Sequence, residues 1–462
     1  MTRLKMKRLL LCASIVLNVL LTTIIHTSAQ HSGVTYLKGA TVVDLTGRAP
    51  FQANVILRDG QIESITTSPT VPPDGHVIDV SGDYVLPGFT DMHAHVTFLR
   101  DDSYSSYDRA TSEQVLKMLL AYGITTVRNP AAPAVESVRL RDDVANGKIL
   151  GPRILTAGEA LNGKPFSTEA EIRAEVKRQA AVGVNYIKVY ANSTPQQTAV
   201  AIDEAHKHGL KVIGHLQITD WPTAAGLGID FVTHGVCWSA SALPPQKRYE
   251  YEEEVRHLGP MKARIFWLES VDVNGPKMNR IIKSLKQHHI SVDPTLIAYK
   301  TKFIPMERYR GKQNVSLAPR AMQESWIDGG FTADWTPSDY ARMQKAWPKM
   351  LEIVALYYHE GVLLTTGSDL PNSWVVPGIS LHQEMELLSE AGIPTQDVLA
   401  MATRNAAAAL GLDREIGTVE VGKRADLVIL AANPLDDIRN TRRIKYVVTD
   451  GKLFQPGSLL TH

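Results

Sequence analysis

Between residues 85 and 411 the chain alternates short apolar runs with helical patterns, and this rhythm constrains its fold more than any other feature. The apolar runs fall at Thr125–Arg128, Arg153–Thr156, Tyr186–Tyr190, Lys211–His215, Phe231–His234, Ile290–Asp293 and Val362–Thr366. With the run that ends in His93 and His95 they make eight predicted strands. Helical patterns such as Glu169–Val182 and Thr198–His208 separate them. Strands separated by helices pair in parallel. Eight such units predict an α/β fold of the (β/α)8 TIM-barrel type, with the active site at the C-terminal ends of the strands. A doubly wound open sheet is the alternative arrangement.

The two ends of the chain have a different texture. From Val34 to Tyr84 short strands follow one another, with Asp59-Gly60 between apolar runs as a hairpin signal. The same pattern returns after Gly417, in Ala425–Leu430 and in Lys445–Lys452. Residues 34–84 and 412–457 are therefore expected to form one discontinuous small β domain around the barrel of residues 85–411. Stretches 239–275 and 299–340 interrupt the barrel rhythm and are rich in Pro, Arg, Trp and Tyr. Long connections of this kind serve as lids or specificity loops, or as surface and oligomer contacts.

Composition narrows the partners. The 462 residues are 44% hydrophobic and 21% charged, ordinary for a globular protein, which excludes a disordered chain or a polytopic membrane protein. A formal charge of +1 argues against a nucleic-acid partner and leaves a small molecule as the expected one, with self-association open. Residues 1–29 are laid out as a signal peptide: basic Arg3, Lys5, Lys7 and Arg8, an apolar stretch from Leu9 to Ile25, then Thr27, Ser28 and Ala29 as a cleavage point. Ser14, Asn18, Thr22 and Thr23 weaken the same stretch as a retained anchor. The expectation is an exported protein, periplasmic or secreted, with no stable membrane insertion after cleavage. Cleavage removes Cys12 and leaves Cys237 alone, so no disulfide framework is expected.

Six residues carry the chemistry. His93 and His95 are two apart, a spacing that puts both imidazoles on one face of a strand. Lys188 lies in Tyr-Ile-Lys-Val-Tyr, a run that reads as buried, and lysine is almost never buried without a partner. Burial favours its neutral amine, the form that takes up carbon dioxide as a carbamate. His215 ends the fifth strand, His234 the sixth and Asp369 the eighth. Four histidines, a carbamylated Lys188 and Asp369 suit two divalent ions about 3.5–4 Å apart with a hydroxide between them. His93, His95 and Asp369 are expected to hold one ion, His215 and His234 the other, with Lys188 bridging. Asp369 is also expected to take the proton of the attacking water. Zinc suits this donor set, as do manganese, cobalt and iron.

Val85–His95, reading VLPGFTDMHAH, resembles the opening motif of the amidohydrolase superfamily. Ala402–Gly411 and Gly417–Val428 are similar to its C-terminal signature. The lysine at position 188 resembles the binuclear branch of imidazolonepropionase-like hydrolases, prolidase-like dipeptidases and ochratoxin-type carboxyamidases. That resemblance implies hydrolysis of a C–N amide bond, in a dipeptide or N-acyl amino acid, by a metal-bridging hydroxide. A lactone or phosphotriester hydrolase would use the same residues, and a metal-free binding scaffold is the non-enzymatic alternative. After His215 the chain has Leu216-Gln217 where many relatives have a small residue and a second His, which bears on the substrate. For the substrate itself, Arg128 at the end of the second strand could grip a carboxylate, or form a structural ion pair. Tyr190 could hydrogen-bond a tetrahedral intermediate, or simply pack. His382 and Cys237 read as structural.

Overall fold

The computed structural model describes residues 33–101, 103–163, 166–303, 314–327 and 332–460, so the expected signal peptide of residues 1–29 lies outside the described residues. The N-terminal strands are β1 (Val34–Val42), β2 (Phe51–Arg58), β3 (Gln61–Thr66), β4 (Gly75–Asp79) and β5 (Tyr84–Pro87). The middle contributes β6 (Phe89–Asp91), β7 (Ile124–Asn129), β8 (Arg153–Thr156), β9 (Tyr186–Val189), β10 (Lys211–Gly214), β11 (Phe231–Thr233) and β12 (Ser291–Asp293). Strands β13 (Leu427–Leu430), β14 (Ile444–Thr449) and β15 (Lys452–Phe454) close the chain.

Both ends share one sheet, in the order β15-β14-β13-β5-β1-β2-β3, with β4 paired to β1. Its hairpins are made by local chemistry. Asp59 and Gly60 both take positive φ, 50° and 78°, as a two-residue turn requires, and Arg58 pairs with Gln61 across them. Asp450 and Gly451 repeat the turn between β14 and β15, with φ of 51° and 74°. The two turns meet: a side chain on Gly451 would lie 2.9 Å from the Gly60 Cα, so Gly451 has no room for one. Leu37, Val55, Val85, Leu427 and Val448 fill the core of this sheet.

The middle strands pair in parallel in two sheets, β6-β7-β8 and β9-β10-β11-β12. Bridges Ala157–Tyr186 and Leu161–Val189 join β8 to β9. On the other side Leu364 bridges Val292, and Leu370 bridges Ala94 just beyond β6. The result is a TIM-barrel-like α/β fold with an extra β domain. Helices intervene as the sequence implies: Glu169–Val182 begins with a capping box, Thr168 and Glu171, and ends on Gly183 at φ 97°.

Three expectations are corrected here. Val362–Thr366 is not a ladder strand but a segment with the single bridge at Leu364. Its threonine hydroxyls donate to strand carbonyls, Thr365 to Val292 and Thr366 to Thr90, while its backbone still bonds both neighbours, Thr365 N–H to the Val292 carbonyl at 3.0 Å and Met92 N–H to the Thr366 carbonyl at 2.9 Å. His93 and His95 lie past the end of β6, in an irregular segment pinned by the Ala94 bridge. Stretch 239–275 is mostly helix, Pro245–Ser270, broken at Gly259 (φ 80°) before Pro260, rather than a loop.

Strands β7, β9, β11 and β12 are buried along their whole length, which explains why their runs are nearly free of charge. Three charged residues interrupt those runs: Arg128, Lys188 and Asp293. All three belong to the centre described next.

Candidate active site

His93 and His95 leave β6 side by side, with ring centroids 5.4 Å apart. Their Nε2 atoms lie 3.3 Å and 3.8 Å from the same oxygen, Asp369 Oδ1. His93 is buried and His95 partly open. Each ring is oriented through its other nitrogen: His93 Nδ1 is 2.7 Å from Asp293 Oδ2, and His95 Nδ1 is 2.9 Å from the Ala131 carbonyl. Held this way, both Nε2 atoms are turned toward Asp369.

Asp369 reaches this point by a strained turn. Its φ is +56°, and its backbone N–H donates to the His93 carbonyl at 2.7 Å. Gly367 permits the approach, since a Cβ there would come within 2.8 Å of the His93 Cβ. Asp91 ties the turn down, accepting from the Ser368 hydroxyl at 2.6 Å and the Ser368 N–H at 3.0 Å. His234 also has positive φ, 72°, as does Thr295, 50°, and the His234 Nδ1 lies 2.8 Å from the Thr295 hydroxyl. Left-handed backbone at a residue other than glycine costs of order 1–3 kcal/mol and persists where the surroundings enforce it.

His93, His234 and Asp369 present ligand atoms that all lie within 4.8 Å of one another. His234 Nε2 is 2.8 Å from His215 Nδ1, so His215 joins at the edge of the group, and His95 joins through Asp369. The grouping thus differs from the expected split: His234 stands with His93 and Asp369 as well as with His215.

Lys188, on β9, is 1% exposed and within electrostatic reach of His93, Asp293 and Asp369, and among the described residues its Nζ has no hydrogen-bond partner. Burial lowers its pKa to about 7, so its neutral amine is accessible. Burial, then the Lys188 charge, holds His93 and His215 well below the usual imidazole range. At His234 burial leads, followed by His215 and Lys188. Burial raises the Asp369 carboxyl, against the nearby cations. Neutral imidazoles and a carboxylate grouped this closely are donors that could hold a divalent cation.

Arg128 is corrected by the structure. It is fully buried, donating to Asp293 Oδ1 at 2.6 Å and to the Met92 carbonyl at 2.7 Å. The carboxylate it grips belongs to the protein, so the structural ion pair weighed beside substrate binding is the arrangement present. Tyr190 packs its ring against His215, centroids 4.3 Å apart, and burial pushes its hydroxyl up to about 12, so it keeps its proton. His382 is buried with both nitrogens occupied, by the Thr441 hydroxyl and the Tyr122 carbonyl. Cys237 is buried and free.

Sequence reasoning missed Asp293 and Thr295. The signal for Asp293 was available, because it is an acid at the C-terminal end of an apolar strand, the same anomaly that singled out Lys188. Thr295 offered none, since its backbone conformation is set by packing.

A model described as the amidohydrolase family matches residues 84–454 of the chain. The imidazolonepropionase of Thermoplasma acidophilum is 22% identical over 416 residues, covering 89% of this chain and 90% of that protein. Among solved structures, a Xaa-Pro dipeptidase with bound methionine superposes with a TM-score of 0.65 at 19% identity, covering 91% of this chain and all of its own. The A. niger ochratoxinase gives 0.62 at 17% identity, over 92% of this chain and 96% of its own.

Proposed function

We propose that this chain, which belongs to the amidohydrolase family and is a hydrolase acting on carbon–nitrogen bonds, is an exported metal-dependent enzyme that cleaves the amide of a dipeptide or N-acyl amino acid. The strands are read as a closed (β/α)8 barrel with the site at their C-terminal ends. The observation that carries the proposal is Lys188: a buried amine with no hydrogen-bond partner among the described residues, within electrostatic reach of the His93 and Asp369 of the cluster that His234 completes. A lysine buried without a hydrogen-bond partner costs stability, and a buried titratable group of this kind marks a functional site.

His93, His95 and Asp369, with His215 and His234, would hold two divalent ions, zinc being the metal these donors suit best. When bound, the ions supply Lewis-acid polarisation of the scissile carbonyl and lower the pKa of water. Lys188, neutral, takes up carbon dioxide: its nitrogen bonds to the carbon, one proton leaves, and the resulting carbamate is an anion able to bridge two cations. Asp369 accepts a proton from the attacking water and returns it to the leaving amine. Tyr190 keeps its proton and can donate a hydrogen bond to the oxygen that becomes negative. Asp293 and Thr295 hold His93 and His234 in orientation.

Export rests on residues 1–29, and no helix among the described residues is long and apolar enough to cross a membrane. Elemental analysis of protein purified with added zinc, run beside a screen of dipeptides and N-acyl amino acids, tests the reading. About two ions per chain with turnover in the screen supports it. A reproducible value near zero in an active preparation overturns the metal dependence.

A further inference from the structure

With Arg128 committed to Asp293, one buried guanidinium near the site has, among the described residues, no acid to balance it. Arg264 lies in the helix Pro245–Ser270, beyond the break at Gly259, and is 8% exposed. Among the described residues no carboxylate pairs with it: its Nη1 donates to Met261 Sδ at 3.2 Å, and its other neighbours are aromatic faces. Its Cζ is 4.9 Å from the Trp238 ring and 5.5 Å from the Tyr299 ring. Arginine is almost never buried unless paired, and a buried charge without a counter-ion is costly.

The position of Arg264 points to the missing anion. The Tyr299 ring that it contacts stands 5.9 Å from the His234 ring, so the guanidinium is one aromatic ring away from the catalytic cluster. Lys302 lies 5.6 Å from the same Tyr299 ring and adds a second cation on that side. The surrounding wall is rigid. Trp238 Nε1 donates to the Tyr299 hydroxyl at 3.1 Å, Tyr251 donates to the Trp238 carbonyl at 2.8 Å, and Trp267 donates to the Ser239 carbonyl at 3.0 Å. Arg264 comes from stretch 239–275 and Tyr299 from stretch 299–340, the two that break the barrel rhythm.

We propose that Arg264 is a specificity residue whose guanidinium receives a carboxylate of the substrate, so that the enzyme selects acids over their neutral counterparts. This deepens the reading of the site as an amide hydrolase and rests on it for the identity of the reaction, but not for the binding of the anion. A planar guanidinium matches a carboxylate through two parallel hydrogen bonds, and the aromatic wall strengthens them by excluding water.

Binding of L-amino acids and of the matching amino alcohols, which lack the carboxylate and cannot be hydrolysed, tests the proposal without turnover. Calorimetry on the zinc-loaded protein should show the acids binding at least about tenfold tighter than the alcohols. Arg264→Gln should abolish that ratio while leaving metal content unchanged, and Arg264→Lys should keep part of it. In turnover of N-acyl amino acids, Arg264→Gln should raise KM by about 10- to 100-fold and change kcat less. A wild-type protein that does not distinguish acid from alcohol overturns the proposal, as does an Arg264→Gln variant with the wild-type ratio. Should Arg264→Gln not fold, the wild-type ratio and Arg264→Lys decide. If the wild type binds the acids selectively but hydrolyses no dipeptide or N-acyl amino acid, the substrate reading falls and the role of Arg264 stands.

Discussion

Asp293 Oδ2 lies 2.7 Å from His93 Nδ1, and the other oxygen of that carboxylate lies 2.6 Å from Arg128 Nη2. One buried acid therefore fixes the orientation of a histidine of the candidate metal site and balances a buried arginine. Burial pushes Asp293 up to about 7, with Arg128 and Lys188 pulling the other way. The charge of Arg128 and the hydrogen bond from His93 are what make this carboxylate tolerable in the core.

Asp293→Asn is expected to damage both functions. An amide has one acceptor oxygen, so either Arg128 or the His93 N–H must face its NH2 group. Metal affinity should fall by about 10- to 100-fold, and stability by about 3–5 kcal/mol, the usual result of breaking a buried pair. Metal titration and urea unfolding on one preparation measure the two effects. Unchanged metal affinity would mean that Asp293 serves the fold alone.

Lys188→Ala should abolish turnover, and added short carboxylates should restore part of it by standing in for the carbamate. Mass measurement under conditions that preserve the modification should show one carbon dioxide on Lys188. An unmodified ammonium in fully active, metal-loaded enzyme would refute the bridge.

Asp369→Asn should cut kcat by at least about 10²–10⁴-fold, the usual worth of general acid–base action, and alter substrate binding far less. The amide retains a metal-ligating oxygen but cannot accept the proton. Metal content must be determined on the same sample. If both ions and near-normal turnover survive, the proton passes through another group.

Glu384 offers a pH test outside the ligand set. It is fully buried, accepts from the Ile297 N–H at 2.7 Å, and among the described residues its Oε1 has no hydrogen-bond partner. Burial raises its pKa from 4.5 to about 8. A carboxyl raised in the folded state contributes stability fully below its unfolded pKa and loses it as pH rises toward the folded value. Each pH unit in that window costs up to about 1.4 kcal/mol. Glu384→Gln keeps an acceptor for Ile297 and cannot ionise, so wild type minus variant should decline from pH 4.5 to 8 and level off above. A flat difference across that range would show that Glu384 does not titrate in the folded protein.

Much of the architecture was written in local patterns. The alternation of apolar runs and helical segments, the Asp59-Gly60 turn and the capped helix at Glu169 depend on a few neighbouring residues, whose steric and hydrogen-bonding preferences act at short range. Lys188 was legible for the same reason, because a lysine inside an unbroken apolar run declares itself. Only the tertiary structure decided the rest. The partner of Arg128 is 165 residues away and that of His93 is 200 residues away, on the same carboxylate. The left-handed backbones of His234, Thr295 and Asp369 run against local preference and are held by packing. Local sequence sets which segments become strands and helices. Which side chains meet in the core depends on how distant strands pack, and no nearby residue encodes that.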